Sequence, residues 1–379
     1  MKVRYFDHAA TTPVRKEVMR AMLPFFEMEY GNPSSLYTLG RHNKRCIEES
    51  REMVAKAINA EKNEIYFTSC GSESDNLAIK GIMYANTEKG NHIITTKIEH
   101  PAVLNTCKWM EKNGFEVTYL NVDSSGKIKL EELERAIKSN TALISVMFAN
   151  NEIGTIQPIK EIGNIAKRRG IIFHTDAVQA VGNVKIDVDA LNIDVMSMSG
   201  HKIYAPKGIG ALYKRSGVKI ERIQHGGHQE SNKRAGTENV AGIVAIGKAI
   251  ELIYNDFERY NNKIITMRDY YIKKIEQTIP DVHLNGHRID RLPGNANISF
   301  KEIDAEELLL NLDAYGICAS AGSACTSGML EPSHVLVATG LKEEYVQGAL
   351  RTTFGMSNTM EDVDYLIDCI KFNVKKLRR

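Results

Sequence analysis

The chain has 379 residues, 43% of them hydrophobic, with 49 Lys+Arg against 47 Asp+Glu for a formal charge of +2. That length exceeds what one hydrophobic core usually serves, so two domains are expected, and the scattered, balanced charge argues against direct nucleic acid binding. There is no uninterrupted apolar run of about 18 residues, and the start MKVRYFDHAATTP lacks a signal-peptide core, so a cytoplasmic location without a membrane segment is expected.

From about residue 60 to 215, short β-rich runs alternate with amphipathic helical patterns. EIYFTS (64–69), HIITTKI (92–98), FEVTYLNV (115–122), ALISVMFAN (142–150), IIFHTDAV (171–178), DVMSMS (194–199) and IGALYKR (209–215) read as seven strands. Alternation with helices is the pattern of a large, mostly parallel α/β sheet, and runs apolar at successive positions suit strands covered on both faces. LEELERAIKS (130–139) and PIKEIGNIAKRRG (158–170) read as helices, the second with Pro158 near its start and Gly170 at its end. Beyond Gly236, the recurrence of Ile253, Phe257, Tyr260, Ile264, Met267 and Tyr271 every three or four residues predicts one long helix linking two domains. After Pro280 come VHLNG, NANISF, a helix at AEELLLNL, the Gly/Ser-rich AGSACTSG, LRTTFG and a last helix over 360–377, a smaller α+β unit. The expected division is 15–260 for the large domain, and 1–14 with 261–379 for the small one. AGSACTSG is the candidate mobile loop.

The six cysteines, Cys46, Cys70, Cys107, Cys318, Cys325 and Cys369, show no C-x-x-C pair and no Cys/His cluster at zinc spacing. Neither a disulfide framework nor a metal site is expected. Most such thiols are small buried hydrophobes, but Cys325 sits among Ala321, Gly322, Ser323, Ala324, Ser327 and Gly328, a setting of exposure and reach.

Four motifs stand at predicted strand ends. Lys202 in Ser199-Gly200-His201-Lys202 lies where a Schiff base could reach a ligand in the crevice beyond a parallel sheet, although a lone lysine is more often a solvated surface residue. Asp176 in HTDAVQ needs a partner if buried: a pyridinium nitrogen would serve, with Gln179 near a ring hydroxyl, and a helix cap is the plainer alternative. FTSCGSES runs from a strand through Gly71 into a helix, a plain helix start or, with Ser72, Ser199 and His201, a phosphate cradle. His100 in EHPAV is either a turn histidine or a ring-stacking proton carrier.

YFDHAATTP, GNPSS, FTSCGSESDN, EHPAV, NNEIGT, HTDAVQA, SGHKIYAPKGIG, RAGTEN and SAGSACTSG, in this order along the whole chain, resemble the cysteine desulfurases of the NifS and IscS kind, within the class-V aminotransferases. The resemblance implies fold type I of the pyridoxal 5′-phosphate (PLP) enzymes and a homodimer with both active sites near the interface. It implies that Lys202 carries the cofactor, Asp176 meets its ring nitrogen, Gln179 and Asn151 contact it near the hydroxyl, and His100 stacks on the ring. Gly71, Ser72, Ser199 and His201 would hold the phosphate, with Thr237 reaching in from a partner subunit. Arg351, with Asn151, would take the carboxylate of L-cysteine, and Cys325 would accept its sulfur, to be passed to an iron–sulfur scaffold or a tRNA thiolation enzyme. Ser72 stands where many relatives carry threonine, which keeps the hydroxyl. The chain runs only to Arg379, so the longer C-terminal tail that some relatives use toward a cluster scaffold is not expected.

Rival readings remain at this level. An aminotransferase needs no loop cysteine, and a selenocysteine lyase differs in substrate preference. A nicotinamide-dependent oxidoreductase would call for a G-x-G-x-x-G turn after the first strand, which is absent, and a non-catalytic interaction protein would bind no cofactor.

Overall fold

The structure is a computed structural model that describes residues 2–321 and 332–378. The chain opens on a two-residue strand, β1 (Arg4–Tyr5), before helix α1 (Thr38–Ala57). The sheet region then follows as β2 (Ile65–Thr68), α2 (Gly71–Ala85), β3 (His92–Thr96), α3 (Pro101–Lys112), β4 (Glu116–Leu120) and β5 (Thr141–Ser145). It continues through α4 (Ile159–Arg169), β6 (Ile172–Asp176), β7 (Val195–Ser199) and β8 (Gly210–Lys214). Next come α5 (Val240–Asn255), α6 (Phe257–Thr278), β9 (Val282–Asn285), β10 (Asn295–Phe300), β11 (Ile317–Cys318), β12 (Ser320–Ala321), α7 (His334–Ala338), β13 (Ala349–Thr353) and α8 (Met360–Leu377).

All seven expected strands join one sheet in the order β2-β8-β7-β6-β5-β3-β4. β8 alone runs against the others, paired antiparallel with both β2 and β7. As a result Thr68, Thr96, Ser145, Asp176 and Ser199, the last residues of five strands, finish on one edge, the edge where α/β sheets bind ligands. The apolar runs work as a two-sided strand requires. Ile93, Leu143, Ile172 and Val195 pack beneath α2 and α3, while their neighbours Ile94, Ile144, Phe173 and Met196 pack on the opposite face with α1 and α5. α4 ends on Gly170, whose φ of +66° takes the left-handed conformation that glycine reaches without strain.

A second core forms around the antiparallel sheet β12-β13-β10-β9, covered by α6 and α8. The N-terminal residues belong to it: β1 pairs in parallel with β11, Asp7 bridges Thr353, and Phe6 is fully buried there. Tyr260 touches both cores.

The single long helix expected after Gly236 is instead two. Asp256 leaves the helical region at φ −122°, ψ 24°, so α5 stops at Asn255 and α6 starts at Phe257. The periodicity carries across because both segments are amphipathic, yet Ile253 serves the large core and Ile264, Met267 and Tyr271 the small one. Four predicted strands end two or more residues early, those from His92 and Phe115 at Thr96 and Leu120, and those from Ala142 and Ile171 at Ser145 and Asp176, the last two freeing the following residues for the cavity. Among the described residues no helix is long and apolar enough to cross a membrane, and no three His, Cys, Asp or Glu side chains form a possible metal site. Five cysteines are free thiols. Cys325, with all of AGSACTSG but Ala321, lies outside the described residues.

Phe6→Ala should lower unfolding free energy by about 3–5 kcal/mol in urea titration, because it empties a fully buried site. A change under about 1 kcal/mol would show that the N-terminal residues do not belong to the small core.

Candidate active site

One cavity of about 430 Å³ opens at the strand-end edge. One wall is the start of α2, where β2 turns through Ser69 and Cys70 into Gly71. The first-turn N–H groups of such a helix lack intrahelical acceptors, and its dipole adds positive potential. A side chain at residue 71 would put its Cβ 2.7 Å from Val178 Cγ2, so only glycine fits. Ser72, Ser199 and His201 line the same cavity. Ser199 is buried and its Oγ has no hydrogen-bond partner among the described residues. Burial and the neighbouring Lys202 and Lys207 push His201 down to about 4, so it is a neutral hydrogen-bonding group there.

Ionisable groups border the same cavity. Lys202 closes a short turn after β7, and its Nζ donates to the carbonyl oxygens of Ala9 and, at 2.7 Å, Ala10. Asp176 ends β6, with Oδ1 accepting from the Val178 N–H at 2.9 Å. Burial raises its carboxyl, while His100, the Val178 N–H and Lys202 act the other way. Gln179 Nε2 donates to Ala9 O at 3.0 Å. His100 caps α3 by accepting from the Ala102 N–H at 3.1 Å, and burial lowers its basicity. Arg351 on β13 is 2% exposed, bonded to Asp7 Oδ1 at 2.8 Å and to Asn151 O at 3.3 Å, with Nε unpartnered among the described residues.

The structure therefore gathers Gly71, Ser72, His100, Asn151, Asp176, Gln179, Ser199, His201, Lys202 and Arg351 around one cavity. Thr237 is exposed and does not line it. Sequence reading passed over three further lining residues, Asp75, Glu152 and His334. Asp75 had a usable signal, standing one helical turn beyond Gly71. It is fully buried, with Oδ1 3.7 Å from His174 Nε2, and burial together with Asp176 drives its carboxyl well upward. Of these two acids, Asp176 has His100 and Lys202 acting to lower its carboxyl against burial, whereas Asp75 has Asp176 raising it further. Glu152 and His334 had no local signal, because tertiary packing alone brings them in.

The class-V aminotransferase family model matches residues 4–366. A cysteine desulfurase IscS of Methanosarcina thermophila is 57% identical over 377 residues, spanning 100% of this chain and 93% of that protein. The chain belongs to the cysteine desulfurases of the class-V aminotransferase family. A cysteine desulfurase IscS of Clostridium botulinum is 55% identical, covering 99% of this chain and 95% of its own. A solved NifS-like protein superposes with a TM-score of 0.93 at 37% identity, over 99% of this chain and 100% of that one. A structure described as SspA in complex with cysteine gives 0.83 at 39%, over 93% and 99%.

Desulfurases of this family depend on PLP, and the residues present fit it: a helix start with an orphaned hydroxyl beside it, a carboxylate and an amine all border one cavity. Beneath the site, Glu99 is wholly buried with Oε2 unpartnered among the described residues, and burial pushes it up to about 8 from an ordinary 4.5. Between those values the folded protein keeps a proton that the unfolded chain has released. Stability therefore falls as pH rises through that window, by about 1.4 kcal/mol per pH unit for one proton. Glu99→Gln should remove this slope, so the variant's urea stability gains on wild type across the window, and a constant difference would contradict the assignment.

Proposed function

We propose that the chain takes sulfur from L-cysteine, leaving L-alanine and a persulfide on Cys325. Membership of the cysteine desulfurases supports the reaction. The observation that carries the site assignment is the convergence of Lys202, Asp176 and the start of α2 on one cavity.

When bound, PLP supplies a carbonyl for the substrate amine and a protonated ring that takes up negative charge from the α-carbon. The first-turn N–H groups of α2 with Ser72, Ser199 and His201 hold its phosphate, and Asp176 keeps its ring nitrogen protonated. Gln179 and Asn151 would hold it near its hydroxyl, His100 would stack on its ring, and Thr237 of a second copy would complete the phosphate site, which would make the working unit a homodimer. Arg351 turns its guanidinium to the substrate carboxylate in a charge-assisted pairing. Lys202 Nζ would take the α-proton of the substrate. The Cys325 thiolate attacks the substrate sulfur, forming an S–S bond as the C–S bond breaks, and the electron pair left on carbon is protonated. In sum, cysteine and the Cys325 thiol give alanine and the Cys325 persulfide. The persulfide passes to acceptors for iron–sulfur cluster assembly or tRNA thiolation in the cytoplasm.

PLP-loaded protein should absorb in the visible, and Lys202→Ala should lose that band. Cys325→Ala should keep it while persulfide formation falls by more than about 100-fold. Undiminished sulfur release from Cys325→Ala would sink the assignment.

A further inference from the structure

Asn151 and Glu152, which line the cavity, belong to the turn 150–155 after β5, and side chains of the other core hold that turn. Asn150 Oδ1 accepts from the N–H groups of Glu152 at 2.9 Å and Ile153 at 3.0 Å, so the turn satisfies its own donors. Its carbonyl oxygens go elsewhere. Arg351 Nη1 donates to Asn151 O at 3.3 Å, Asn297 Nδ2 to Glu152 O at 3.1 Å, and Arg291 Nη1 to Ile153 O at 2.9 Å. Arg351 on β13 and Asn297 on β10 are cross-strand partners, so one rung of the antiparallel sheet meets two consecutive carbonyls of the turn.

Arg291, between β9 and β10, is 4% exposed. Its other hydrogen bonds among the described residues also end on neutral oxygens, the carbonyls of His287 at 3.0 Å, of Asn295 at 3.4 Å and of Asn285. Burial, with Arg268 and Arg288 nearby, lowers its basicity to about 9, which leaves it a cation at neutral pH. Burying a charge with no carboxylate paired to it is unfavourable, and an apolar side chain of similar length would fill the space without that penalty. The guanidinium supplies what such a side chain lacks, a rigid fork of donors that joins the turn after β5 to the end of β9 and the start of β10 at once.

We propose that Arg291 is a positioning residue for recognition of the substrate carboxylate: by fixing the 151–153 turn against the sheet that carries Arg351, it sets Asn151 and Arg351 relative to each other. This rests on the assignment of Arg351 and Asn151 to that carboxylate above. Arg291 does not line the cavity and acts through the Ile153 carbonyl. Without its fork the turn loses its grip on the end of β9, and the Asn151 carbonyl, on which Arg351 rests, moves with it. A defect of this kind weakens ligands that carry a carboxylate, whereas a general defect of the fold weakens every amine alike.

The test is titration of the visible band of the PLP-loaded, full-length protein with L-alanine, the proposed product, and with ethylamine, its counterpart without a carboxylate. Arg291→Met keeps the length of the side chain and removes its donors. It should raise the dissociation constant of L-alanine by at least about tenfold and that of ethylamine by less than about twofold. Arg291→Lys, a cation without the planar fork, should show the same selective loss. Arg351→Gln should show it too, and adding Arg291→Met to that variant should weaken L-alanine no further, because both residues act on one contact. Equal losses for the two ligands in Arg291→Met, no loss for either, or additive losses in the double variant overturn the proposal. If Arg291→Met does not hold cofactor, Asn297→Leu, which removes the donor to the Glu152 carbonyl, decides by the same criterion. An Arg351→Gln variant that binds L-alanine as wild type does would instead sink the carboxylate assignment of Arg351 itself.

Discussion

A carboxylate and an ammonium held at the same edge of one sheet are the constraint on which the rest of the molecule turns. Asp176 and Lys202 reach that edge because β6 and β7 run in the same direction and each stops there. Burying either charge alone would be costly, and each is compensated locally: Asp176 by the Val178 N–H, Lys202 by carbonyls of Ala9 and Ala10. The parallel arrangement, the two covering layers of helices and the reversal of β8 all serve to deliver strand ends to one place.

Much of this was legible from the residues. The two-sided apolar strands announce themselves by continuous Ile, Val, Leu and Phe, and the glycine at 71 marks a close approach that the structure traces to Val178. The break at Asp256 was hidden because an amphipathic stripe continues in phase across it. Glu152 and His334 were invisible for a different reason: each enters the cavity from an element whose local pattern says nothing about what lies across the fold.

The buried acids show how neighbours sort chemically identical groups. Burial pushes Asp75, Glu99, Glu152 and Asp176 all toward the protonated form, opposed by Arg351 at Glu152 and by His100 and Lys202 at Asp176. Hydrogen bonding sorts the histidines in the same manner, since a backbone donor and a backbone acceptor assign opposite free atoms to His100 and His334.

The Asp7–Arg351 contact carries a consequence for selectivity. The guanidinium already has a resident carboxylate, itself steadied by Ser320 Oγ at 3.1 Å. On the proposed assignment of Arg351 to the substrate carboxylate, an incoming amino acid would have to compete with that internal rival. Because Asp7 lies beside β1 in the smaller core and Lys202 rests on the carbonyls two and three residues further on, the amino-terminal stretch ties the arginine on β13 to the lysine after β7.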